Sequence, residues 1–148
     1  MIRSIPVVAA ILAGLIAPPA LAERSSAPAG AKVYFVNLKD GDAVSSPFKV
    51  VFGLSGMGVA PAGTKVDNTG HHHLLIDRPP IGEGAGGEQE LAISLPADDH
   101  HKHFGKGQTE AMVDLPAGRH TLQLLLGNYL HIPHDRPVAS EVITITVQ

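Results

Sequence analysis

Nine histidines stand in this chain, and most of them are grouped. His71, His72 and His73 are consecutive, and His100, His101 and His103 crowd a second short stretch. His131 and His134 flank a proline, and His120 stands alone. Imidazole is the commonest metal ligand among side chains and the one whose charge changes near neutral pH. The chain has no cysteine, so imidazole is its one strong nitrogen or sulfur donor. A structural zinc site needs four ligands, and a catalytic one needs three and an open position. Cu²⁺ prefers tetragonal nitrogen and oxygen ligation and outcompetes zinc for a given donor set. The histidines suffice for either ion. Their spacing matches no named zinc pattern, so density carries the metal reading. The candidate ligands are His71, His73, His101, His103, His131 and His134, with copper or zinc as the ion.

Strand geometry sharpens the first group. Alternation puts His71 and His73 on one face and His72 on the other. Leu74, Leu75 and Ile76 are all apolar, so two registers stay open. Either His72 points inward with Leu74 and Ile76, or His72 is the exposed one. His101-Lys102-His103 repeats the spaced pair, after Asp98, Asp99 and His100. In His131-Ile132-Pro133-His134-Asp135 the proline restricts Ile132 and sets two imidazoles on a loop edge beside a carboxylate. His120 lies on an apolar face and reads as a hydrogen-bonded core histidine. His72 shares that doubt, and His100 reads as solvated. Met57, in a glycine-rich loop, is a weaker candidate for Cu(I), whereas Met112 reads as core filling. The competing view is a metal-free network in which each imidazole holds a carbonyl or carboxylate and fixes the long loops.

The elements that must position these rings follow a period of two. Strands are expected over 32–38, 48–54, 71–77, 108–115, 119–127 and 142–147, with a short one over 91–95. Phe48, Val50, Phe52 and Leu54 share one face of the second strand, and His120, Leu122, Leu124 and Leu126 one face of the strongest. Residues 55–70 and 78–87 are rich in Gly and Pro and read as loops. No helical stripe interrupts this pattern. About seven short strands with such punctuation predict an all-β, immunoglobulin-like antiparallel β-sandwich. No cysteine pair or tryptophan of the antibody type is present.

The N-terminus predicts export. Met1-Ile2-Arg3 carries a positive charge, an apolar run extends from Ile5 to Ala17, and Ala20-Leu21-Ala22 has the form of a signal-peptidase site. The run is shorter than the roughly 20 apolar residues that a spanning helix needs. Residues 1–22 are thus expected to be a cleaved signal peptide, 23–31 a flexible lead-in, and 32–148 one β-sandwich domain, periplasmic or secreted, with no membrane span in the mature protein. A formal net charge of −3 with no basic stripe argues against nucleic acid as a partner.

Five blocks resemble a known family: Ser46 to Gly63, Thr69 to Asp77, His103 to Glu110, Leu122 to Gly127, and His131 to Pro137. The chain is similar to the bacterial secreted family described as domain of unknown function 4399. The resemblance implies an exported single domain and no established activity. Where the family reads an Asp-Leu-Pro-Pro style loop after its histidine strand, this chain has Arg78-Pro79-Pro80 and a Gly-rich stretch to Gly87, expected to be flexible.

Three functions compete. The first is a periplasmic divalent-metal module, a buffer or carrier for copper or zinc. The second is a metal-free module that contacts an envelope protein through loops or an edge strand. The third is a metalloenzyme in the manner of copper–zinc superoxide dismutase, with which the chain shares a histidine-x-histidine pair on a sandwich. No Gly-x-Ser-x-Gly or His-Glu-x-x-His motif supports the third, so an enzyme is the less favoured reading.

Overall fold

Alternating β-branched or aromatic residues make strands where one face finds a core. The computed structural model describes residues 24–148, so the signal peptide expected over 1–22 lies outside the described residues. Within the described residues the chain forms β1 (Lys32–Phe35), β2 (Ala43–Val44), β3 (Phe48–Ser55), β4 (Gly58–Val59), β5 (Thr69–Ile76), α1 (Gly87–Glu90), β6 (His101–His103), β7 (Glu110–Val113), β8 (Gly118–Gly127), β9 (Pro133–Ala139) and β10 (Ile143–Val147). Two sheets stack as a sandwich. The smaller has the order β1-β3-β7, antiparallel throughout. The larger runs β2-β10-β8-β5-β4, with β6 added to β5 and β9 added to β8. Its long strands are antiparallel, but the two-residue strands β2 and β4 pair parallel with β10 and β5. The sandwich is therefore mixed at its margins.

The core lies between the sheets. Val33, Phe48, Val50 and Phe52 from the small sheet meet Leu74, Ile76, Leu122, Leu124, Leu126, Ile143, Ile145 and Val147 from the large one. The alternation expected for β3 and β8 is the one observed, with Leu122, Leu124 and Leu126 in the core, and β10 alternates likewise. Leu74 and Ile76 enter this core, so His72 turns inward with them. Its ring lies 5.1 Å from that of Phe52. His71, His73 and Leu75 take the opposite face. That face is also closed to solvent, since Leu75, Gln123 and Leu125 are buried there. Residues 78–99 are anchored over it. The Ile81 N–H donates to Gln123 Oε1 and the Leu95 N–H donates to the His131 carbonyl.

Several boundaries differ from the sequence expectation. The first strand stops at Phe35, because the Asn37 side chain takes over the ladder: it donates to the Lys49 carbonyl and accepts from the Val51 N–H. Residues 91–95 are not a strand. They follow the single turn α1, and Leu91 folds back onto Gly82. Met112 is not core filling but 60 % exposed, because β7 turns Ala111 and Val113 inward and Met112 outward. Strand β9 carries Pro133 and Pro137, which hide it from a propensity reading. It pairs with β8 alone, where a missing N–H is tolerated. The lead-in is anchored along β9: the Ser25 carbonyl accepts from the Asp135 N–H, and Ala27 is buried in the core. Among the described residues no helix is long and apolar enough to cross a membrane.

Leu124 sits fully buried in the central strand β8. Leu124→Ala should lower stability by about 2–5 kcal/mol, the usual cost of such a truncation with its residual cavity. Urea unfolding of both proteins measures it.

Candidate metal centre

The register of three strands assembles the centre. In β5 against β8, His71 faces Gly127 and His73 faces Leu125. In β5 against β6, His73 faces His103 and Leu75 faces His101. Paired residues share a face of the sheet, so His71, His73, His101 and His103 project to one side. His131 reaches the same side from the turn between β8 and β9.

The three innermost nitrogens meet closely. His71 Nε2 lies 2.9 Å from His73 Nε2 and 3.0 Å from His131 Nδ1. One nitrogen from each of His71, His73 and His131 falls within 4.8 Å of the others. The far nitrogen of His73, Nδ1, lies 3.0 Å from His101 Nε2. His103 stands at the rim, its ring centroid 4.7 Å from that of His131 and 5.8 Å from those of His71 and His73. Burial falls outward: His71 and His73 are sealed, His131 is half-buried and His103 is exposed.

Two glycines make the room. A Cβ on Gly127 would stand 2.5 Å from His73 Nε2, and one on Gly105 would stand 2.7 Å from His103 Nε2. A glycine inside a strand often marks such an approach, which is the signal in the sequence that could have pointed to Gly127. His131 adopts a left-handed φ of 63°, a conformation that costs a non-glycine residue about 1–2 kcal/mol. Asn128 holds it there. Its side-chain oxygen accepts from the Leu130 and Ile132 N–H groups, and its carbonyl accepts from the His131 N–H. Asparagine is a turn residue for this reason.

The remaining histidines are elsewhere. His134 is buried with Nδ1 against the Leu126 carbonyl at 3.2 Å, and lies outside the group of three. His72 faces the Gln108 carbonyl in the core. His100 is exposed and bonds the Ile76 carbonyl. His120 is the hydrogen-bonded histidine expected, held between Asp77 Oδ2 at 2.6 Å and the Pro116 carbonyl at 2.9 Å. Met57 packs against the core.

Burial decides the charge of the cluster. It pushes the His71 ring down to about 4, helped by His131 and His103. It holds His73 well below the ordinary value, helped by His71 and His101. It pushes His101 to about 4, helped by Arg78, and lowers His131, helped by His103. At neutral pH these rings are therefore uncharged, the state in which imidazole offers a lone pair to a metal. A buried ring nitrogen is without a hydrogen-bond partner among the described residues in His71 (Nδ1) and His101 (Nδ1), as it is in His72 (Nε2) and His134 (Nε2) outside the cluster.

Residues 50–148 match the family described as Domain of unknown function (DUF4399), and the chain belongs to that family. All nine histidines fall within the matched stretch. No curated protein and no solved structure matches significantly.

Two outcomes follow from this geometry. Gly127→Ala drives a methyl into the His73 ring. It should cost about 1–3 kcal/mol of stability, the usual range for overpacking, as read by urea unfolding. The second concerns acid. Rings whose folded values lie below the unfolded 6.5 bind fewer protons folded than unfolded, so acid favours unfolding. For His71 and His101 this contribution is intact above pH about 6.5, declines toward pH about 4 and changes no further below it. His120, raised by its hydrogen bond to Asp77, acts oppositely: its contribution is present below 6.5 and lost as pH rises through its raised value. Denaturant titrations of chelator-treated protein at pH 7, 5.5 and 4 should show the net acid loss.

Proposed function

We propose that this DUF4399 member is an exported, periplasmic metal-binding module, a buffer or carrier for copper or zinc, with His71, His73 and His131 as its ligands. One observation carries the reading: three imidazole nitrogens on rigid strands and a braced turn lie within 4.8 Å of one another. Around an ion with bonds of about 2.0–2.1 Å, neighbouring nitrogens stand about 3.3 Å apart in a tetrahedron and about 2.9 Å apart at right angles. The His71–His73 and His71–His131 spacings of 2.9 and 3.0 Å lie near the right-angle value, while the His73 and His131 nitrogens, within 4.8 Å of each other, must stand no more than about 4.1 Å apart to share one ion. An all-imidazole, uncharged donor set suits copper or zinc and not calcium or magnesium, which take oxygen ligands.

Exchange fits the shape of the site. His131 lies between the sealed pair and solvent, and His103 stands beside it as a fourth imidazole. Ala62, Gly63, Tyr129 and Leu130 line a depression of about 640 Å³ against His131. A graded exit of this kind suits a carrier better than a permanently closed structural site.

The metal-free alternative has its own supporting observation. The same 2.9–3.0 Å spacings are hydrogen-bond distances, so the rings could serve as a polar network in an envelope-interaction module. Calorimetric titration of tag-free residues 23–148 with Cu²⁺ and Zn²⁺ separates the two. One ion per chain should bind tighter than about 10 μM, near −7 kcal/mol. Loss of an outer-shell partner costs a metal site about 10–100-fold, so removing a ligand in His73→Ala should cost at least about 100-fold. Wild-type affinity weaker than 10 μM for both ions would overturn the metal reading and favour the network.

A further inference from the structure

We propose that His101 is the positioning residue of this centre: it takes no bond to the ion, but accepts the Nδ1–H of His73 and so fixes that ring and its tautomer. This rests on the metal reading above.

The argument is proton bookkeeping within the cluster. A neutral imidazole has one N–H and one lone pair. Nε2 of His73 faces His71 and the convergence point, while its Nδ1 faces His101 Nε2 at 3.0 Å. An ion at the convergence point takes the Nε2 lone pair, which leaves the proton on Nδ1. His101 Nε2 must then present its lone pair, with its own proton on Nδ1, which is buried and has no hydrogen-bond partner among the described residues. One tautomer of each ring satisfies the contact. Metal-ligating histidines as a rule hand their second N–H to a carboxylate, a carbonyl or water, and this outer contact sets ring orientation and basicity. Here the acceptor is a second imidazole.

The surroundings of His101 favour that role over ligation. Both His73 and His101 are sealed, at 0 and 1 % exposure, so an ion between them would have two ligands and no open side. The His101 backbone is doubly bridged to Asp98: the Asp98 N–H donates to the His101 carbonyl and the His101 N–H donates back. On its other edge β6 is laid against β5, with His101 opposite Leu75. A ring held this rigidly is suited to orient a neighbour. His103, two residues on and exposed, has the freedom that His101 lacks.

The test compares His101→Leu and His101→Gln in the mature chain. Gln retains an acceptor oxygen and serves as the folding control; circular dichroism confirms that both variants fold. Competition titration with Cu²⁺ and Zn²⁺ reads affinity, and the nitrogen hyperfine pattern of the Cu²⁺ form counts coordinated rings. His101→Leu should bind one ion with the wild-type nitrogen count but about 10–100-fold more weakly. His101→Gln should recover most of that loss. In the zinc form of the wild type, nitrogen-15 shifts should place the His73 proton on Nδ1. A nitrogen count lowered by one in His101→Leu would make His101 a ligand and overturn the proposal. Unchanged affinity in His101→Leu, or a Gln variant as weak as the Leu variant, would also overturn it. If the wild type binds neither ion, the metal reading itself fails and this one with it.

Discussion

The β5–β8 register is the constraint on which everything else in this molecule depends. It sends Leu74 and Ile76 between the sheets and so commits His71 and His73 to the other face. A slip of one residue would reverse every side chain and put two imidazoles into the apolar core. The same register sets Gly127 across from His71, where the missing side chain is the space that the His73 ring occupies. The core and the centre are thus two products of one pairing, on opposite faces of one strand.

Burying imidazoles is costly unless they stay neutral and keep their contacts. The cluster meets the first condition by desolvation and mutual repulsion, which depress the rings together. It meets the second in part, by linking nitrogens in series from His131 through His71 and His73 to His101, while Nδ1 of His71 and of His101 have no partner among the described residues. Such an arrangement holds little charge of its own at neutral pH and turns ring nitrogens of His71, His73 and His131 toward one point. It differs from the environment of His120, where Asp77 and a carbonyl both accept and the ring is drawn toward its charged form.

Much of this was legible in the sequence, and the exceptions have physical causes. Alternation placed Phe48, Val50 and Phe52 on one face and paired His71 with His73, since strand geometry is local. The choice between the two registers was not local: Leu74, Leu75 and Ile76 are all buried, two by the core and one beneath residues 78–99, so their apolarity carried no direction. The convergence of His131 depends on the turn held by Asn128 and on a positive φ, and neither has a periodicity. His134 shares a short motif with His131, yet its ring faces the Leu126 carbonyl while that of His131 faces His71, because the chain passes from that turn into β9 between them. Strand β9 itself was masked by its prolines.

Besides the Asp98–His101 bridge, one hydrogen bond ties the covering segment to the histidine cluster. The His131 carbonyl accepts from Leu95, within the segment that lies over Leu75 and Leu125. The residue whose ring joins the cluster is therefore also one of the anchors of the covering segment. The seating of the cover and the placing of the His131 ring thus meet at one turn, the one that Asn128 braces.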